Sequence, residues 1–88
     1  MITKTLTIVN KLGIHARPAA QFVRTSSRFD SEVSVEIDSE AVDGKSIMGL
    51  MMLAVGWGAE IKVTVSGDDE AECLAALEAL VASKFGEE

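Results

Sequence analysis

The stretch Gly13-Ile14-His15-Ala16-Arg17-Pro18-Ala19-Ala20 holds the only histidine and the only proline of an 88-residue chain, with an arginine between them. These residue types at this spacing point to anion chemistry. Proline suits the first turn of a helix, where its missing N–H breaks no intrahelical bond. A helix therefore begins close to Ala16, and His15 stands at or beside its N-cap. The N–H groups of Ala16 and Arg17 then point out of the helix unpaired, at the positive end of its dipole. That is a place for an anion, and Arg17 adds a planar fork suited to phosphate oxygens. Positive surroundings disfavour the imidazolium, so the ring of His15 is expected to be neutral and nucleophilic near pH 7. A phosphoryl group taken up there would lie among the helix N–H groups and Arg17. That is the chemistry of a carrier, not of a hydrolase.

Blander uses of the same residues stay open at this point. A lone histidine is most often structural. A metal site has little support, because there is no second histidine and the one cysteine, Cys73, is distant. Spacing leaves room for a Ser/His or Cys/His pairing, but no nucleophile elbow marks one, and a chain this short has little room for a substrate cleft. No metal and no cofactor are expected.

Charge sharpens the picture. The net charge is −6, which argues against nucleic-acid binding, where a basic footprint is the rule. Yet residues 1–28 carry Lys4, Lys11, Arg17, Arg24 and Arg28 and no acid, for +5, while the remainder carries −11. Arg24 and Arg28 read most simply as a solvated helix face. The surroundings of His15 read equally well as prepared for an anion or an acidic partner.

Three segments with period-two alternation must frame this site. Ile2 to Val9, Val33 to Asp38 and Ile61 to Ser66 each present one apolar and one mostly polar face. A short fourth strand is expected at Glu40–Val42, closed by the Asp43-Gly44 turn signal. Strands with a wet side favour an antiparallel sheet covered by helices on one face. Helical patterns run from Ala16 to about Ser27, from Ser46 to about Leu53, and from about Asp69 to Phe85. Acids crowd the start of the last helix, and Gly86 follows as its stop. Cys73 falls on its inner stripe, as a small core residue. The order is βαββαβα, an α+β domain with no internal linker or repeat, covering residues 1–88. No stretch approaches the ~20 apolar residues of a membrane span, and the alternating amino terminus lacks a signal-peptide core. With one cysteine and no internal staple, a reduced cytoplasmic setting fits best.

The residues Gly13–Ala19 resemble the active-site signature of the histidine-containing phosphocarrier family, HPr, of the bacterial phosphoenolpyruvate-dependent sugar phosphotransferase system. About thirty residues on, Lys45–Ala54 (KSIMGLMMLA) resembles the family's second signature, which holds its regulatory serine. Two motifs at family spacing, in a chain of family length with the matching element order, extend the resemblance to the whole chain. It implies an open-faced β-sandwich, with a four-stranded antiparallel sheet, two longer helices and a short one. It also implies that His15 accepts a phosphoryl group on Nδ1 from phosphorylated enzyme I and passes it to a histidine of an enzyme IIA domain. By the same resemblance Arg17 matches the phosphate-binding arginine. Ser46 matches the serine modified by HPr kinase/phosphorylase where that enzyme exists, a modification read by transcriptional regulators. Trp57 departs from the pattern, since a polar or basic residue is commoner there. The tail Phe85-Gly86-Glu87-Glu88 and the stretch NKLGIHARPA also resemble the nitrogen-regulatory branch, where the same chemistry serves regulation. A regulatory binding module on the same fold, acting through Ser46 or its apolar neighbours, is the alternative from another class.

The short second helix carries more apolar residues than one face can bury. Ile47, Met48, Met51 and Met52 are the candidate docking residues, since a carrier must meet several partners and methionine surfaces adapt well. A monomer is expected.

Overall fold

The computed structural model describes residues 1–87. Four strands form one sheet: β1 (Ile2–Thr7), β2 (Glu32–Ile37), β3 (Glu40–Asp43) and β4 (Glu60–Ser66). Their spatial order is β1-β4-β2-β3 and every neighbouring pair is antiparallel. Three α-helices accompany them: α1 (Ala16–Ser26), α2 (Ile47–Met52) and α3 (Glu70–Ala82). The open-faced architecture expected from the alternating strands is the one observed.

Register explains why one face is dry. Ile2 stands opposite Val65, Leu6 opposite Ile61, and Val33 and Val35 opposite Val65 and Val63. Because side chains alternate across a strand, these residues share the face turned toward the helices. Ile61, Val63, Val65 and Val35 are fully buried there, against Ala19 and Phe22 of α1, Leu50 of α2, and Cys73, Leu77 and Val81 of α3. Burying one such side chain stabilises the fold by roughly 1.5–3 kcal/mol. The opposite face is polar, and the hydroxyls of Thr3 and Thr64 meet across β1 and β4 at 3.0 Å. Lys4, although in phase with the apolar residues of β1, is exposed and pairs with Glu78 of α3 at 2.5 Å. Cys73 lies in the core as expected, and burial pushes its thiol pKa up.

The β2–β3 hairpin turns on Asp38 and Ser39, both at positive φ (49° and 70°). Paired left-handed residues match the twist of a two-residue hairpin, and a short polar side chain such as Asp tolerates that region. The expected turn after β3 is also present. Asp43 accepts the Lys45 N–H at its side chain and the Ser46 N–H at its carbonyl, at 2.9 and 3.0 Å.

One expectation needs correction. The last helix does not run to Phe85 but ends at Ala82, where the Ser83 hydroxyl donates to the Leu80 carbonyl at 2.8 Å. Such local bonds compete with the helical ladder. Lys84, Phe85 and Gly86 follow at φ of 60°, 55° and 74°. This left-handed run costs about 1–2 kcal/mol per non-glycine residue. Burial of Phe85 in the core offsets it. The chain is thereby folded back over the molecule instead of leaving it. At the other end of α3, Asp69 is the N-cap residue, but its side chain does not cap the helix. It accepts the N–H groups of Asp30 and Ser31 at 2.9 and 3.0 Å and the Ser31 hydroxyl, fastening α3 to the start of β2. Among the described residues no helix is long and apolar enough to cross a membrane.

Candidate functional site

Residues 8–15 connect β1 to α1, and the loop before β4 braces them from below. The Ile8 N–H donates to Ala59, the Gly58 N–H returns to Ile8, and the Ile14 N–H donates to Val55, all at 2.8–2.9 Å. Gly13 is required at the closest point. Its φ is +70°, and a Cβ there would stand 2.2 Å from the Val55 carbonyl oxygen. Three main-chain hydrogen bonds thus join two segments that are not regular strands.

His15 is the N-cap residue of α1, in extended conformation (φ −101°, ψ −164°), and its carbonyl accepts the Ala19 N–H at 2.9 Å. Ala16 and Arg17 occupy the exposed first two positions of the helix. Their N–H groups precede the first intrahelical donor, as the sequence required. Pro18 is the third residue and is buried, so its missing N–H breaks no helical bond. No acid stands in the first turn to compete for an anion. The imidazole is 39% exposed at its side chain, open to a reactant yet partly enclosed.

The surroundings are not purely positive, which corrects the expectation from sequence. Nε2 of His15 lies 2.8 Å from Oε2 of Glu87, brought in by the left-handed turn around the buried Phe85. The second oxygen of Glu87 accepts from Nδ2 of Asn10 at 2.9 Å, and the same Nδ2 donates to the Gly13 carbonyl at 2.7 Å. Asn10 is fully buried. The Glu87 carboxyl is held below its ordinary pKa of 4.5, first by the Asn10 hydrogen bond; the cost of burial opposes it, and the bond and charge of His15 and the charge of Arg17 add to the lowering. The ring thus has the helix start on one side and the Glu87 carboxylate on the other.

Asn10 and Glu87 escaped the reading of the sequence. Asparagine three residues before a glycine is a turn signal, but its contact with Glu87 spans 77 positions. The tail gave only one hint, Gly86, which reads as a helix stop and serves as part of a reversal.

Ser46 lies on a different element. It is the N-cap of α2, and its hydroxyl oxygen accepts the Gly49 N–H at 3.0 Å. No hydrogen bond joins it to the His15 cluster among the described residues. Leu50 alone of the helix is fully buried, leaving Ile47 and Met51 half-exposed and Met48 and Met52 exposed at 70% and 77%. The helix is too short to bury Met51 beside Leu50. Leu12 and Trp57, 73% and 69% exposed, stand on the two braced loops. No group of three or more potential metal ligands occurs among the described residues.

A four-stranded open-faced sandwich with a histidine at the N-cap of its first helix, an arginine two residues on and a capped short second helix defines a small phosphocarrier fold. Comparison with known proteins agrees. A family model described as the PTS HPr component phosphorylation site matches residues 2–83. The phosphocarrier protein HPr of Treponema pallidum is 47% identical over 88 residues, the full length of both chains. The crystal structure of HPr-C-His from Thermoanaerobacter tengcongensis superposes with a TM-score of 0.96 at 52% identity, covering 100% of this chain and 99% of that one. An HPr dimer from the same organism matches at a TM-score of 0.80, covering 99% and 100%. The chain belongs to the HPr family of phosphocarriers of the phosphotransferase system.

Proposed function

We propose that this chain takes a phosphoryl group from phosphorylated enzyme I onto Nδ1 of His15 and gives it to a histidine of an enzyme IIA domain. The observation that supports this best is the bond from His15 to Glu87. A carboxylate only accepts, so Nε2 carries the proton and the lone pair of the neutral ring is on Nδ1. Attack by that pair on phosphorus forms the Nδ1–P bond as the donor's N–P bond breaks, and the donor nitrogen keeps the electron pair. The phosphate oxygens lie toward the N–H groups of Ala16 and Arg17 and the Arg17 guanidinium, which bind a dianion without pulling water toward the phosphorus. Onward transfer is the same exchange reversed. The chain does no other chemistry: it carries.

The exposed side chains of Ile47, Met48, Met51 and Met52 serve as the docking surface in this reading, and the basic residues near His15 complement acidic partners. Ser46 is the regulatory position where a serine kinase exists. The carrier works in the cytoplasm as a monomer, since His15, Arg17 and the helix end lie in one chain. Incubation with phosphoenolpyruvate and enzyme I should label the protein with acid-labile, alkali-stable phosphate, and His15→Ala should abolish it. Labelling that survives in His15→Ala would sink this reading.

A further inference from the structure

We propose that Glu87, aimed by Asn10, is a positioning residue for His15: it holds the Nε2–H and so confines phosphoryl chemistry to Nδ1. This rests on the reading of His15 as phosphoryl acceptor given above, and extends it to which ring nitrogen reacts and why.

The contact is built, not incidental. Asn10 is fully buried, and both partners of its Nδ2, the Gly13 carbonyl and Oε1 of Glu87, are acceptors. The amide orientation is thereby fixed, since its oxygen could bond to neither. With Oε1 held at 2.9 Å, the other oxygen of the same carboxylate is delivered to Nε2 at 2.8 Å. Behind Glu87 the backbone is locked as well. Phe85 is buried in the core, and the Glu87 N–H donates to the Lys84 carbonyl at 2.8 Å. A residue 72 positions from His15 is thus anchored on three sides before it meets the ring.

The consequence follows from where charge goes. When Nδ1 gains phosphorus, Nε2 keeps its proton and the ring becomes an imidazolium. The positive charge is shared with the nitrogen that faces Glu87, so a hydrogen bond from a neutral ring to a carboxylate becomes an ion pair as the reaction proceeds. Reaction at Nε2 would require breaking this bond, moving the proton to Nδ1 and facing a phosphate dianion with a carboxylate. Glu87 therefore favours one isomer twice, by occupying the wrong nitrogen and by stabilising the product at the right one.

The test uses phosphoramidate, a small donor that phosphorylates imidazoles without a protein partner. Its P–N bond breaks as Nδ1–P forms, and ammonia leaves. The full chain, with 15N-labelled histidine, is phosphorylated and the isomers are read from the ring nitrogen signals. Wild type should give the Nδ1 product alone. In Glu87→Ala the preference for Nδ1 over Nε2 should fall at least about tenfold, the loss of one hydrogen bond to a charged group. Glu87→Gln, with one acceptor oxygen for two donors, should be intermediate. Asn10→Ser should shift the ratio in the same direction, once its fold is confirmed by circular dichroism. An unchanged isomer ratio in Glu87→Ala, or an Nε2 product in wild type, would overturn the positioning role while leaving His15 an acceptor. A wild-type chain that takes no phosphate at all would overturn the carrier reading and this one together.

Discussion

The carboxylate of Glu87 and the imidazole of His15 meet at 2.8 Å across 72 positions of sequence. The site is therefore closed by the chain's own tail, and an acid shares the neighbourhood of Arg17. Its pH behaviour follows from that pairing.

Glu87 titrates below its ordinary value of 4.5 because Asn10, His15 and Arg17 favour its ionised form. A depressed carboxyl contributes stability that is present above the ordinary value and lost as pH falls through the folded one. The tail contact should loosen below pH ~4.5 and hold at neutral pH. Asp69, held below its ordinary 3.8 first by the Ser31 hydroxyl, also loses its contacts at acid pH, so global unfolding would mix the two. Site-specific 13C NMR of the Glu87 carboxyl separates them. Asn10→Ala should raise its midpoint more than Arg17→Ala does; the opposite order would contradict the assigned causes.

Gly13→Ala should destabilise the protein by at least about 1–2 kcal/mol, the cost of a left-handed non-glycine residue, before any clash. The added carbon would stand 2.2 Å from the Val55 oxygen, so the bond from Ile14 to Val55 must also stretch. Chemical denaturation measures the loss, and phosphoryl acceptance should slow with it. A stability equal to wild type would mean that the loop before β4 is no brace.

Arg17 is exposed, so its removal should change stability by no more than about 0.5 kcal/mol. Transfer from enzyme I should fall roughly 10- to 100-fold in Arg17→Ala, one charge-assisted contact's worth. Arg17→Lys should be intermediate, because charge returns without the fork. Stopped-flow transfer rates that are equal in all three proteins would remove Arg17 from the site.

Ser46→Ala should cost about 1 kcal/mol through loss of the cap to Gly49. Ser46→Asp keeps an acceptor at that helix start, so the fold should persist. Its added charge lies beside the exposed Ile47 and Met48, and enzyme I should phosphorylate the variant more slowly, most visibly at low salt. Unchanged rates at low salt would leave Ser46 a cap and nothing more.

Much of this was legible in sequence because it is local. Period-two alternation marks β1, β2 and β4, since one face of each is wet, and Pro18 with Gly13 marks the helix start beside His15. What was missed is long-range or conformational. The reversal at Lys84-Phe85-Gly86 needs left-handed backbone at two residues that rarely adopt it, and only burial of Phe85 makes it stable. Without that reversal Glu87 has no route to His15. Asn10 likewise reads as an ordinary loop polar residue until its partner, 77 positions away, is in place. The apolar surplus of α2 was visible, but which side chains stay exposed depends on Leu50 alone reaching the core.

A carrier must give as readily as it takes, so onward transfer is the decisive measurement. The chain, phosphorylated through enzyme I and freed of it, is mixed with a purified enzyme IIA domain and followed by 31P NMR and rapid-quench gel. The phosphohistidine signal of the chain should disappear as an equal signal grows on the IIA domain, with no inorganic phosphate released in step. Returned to unphosphorylated enzyme I and pyruvate, the phosphorylated chain should regenerate phosphoenolpyruvate. Phosphate that stays on His15 in the presence of both partners, or leaves it only as inorganic phosphate, would contradict the assignment of this chain as a phosphoryl carrier.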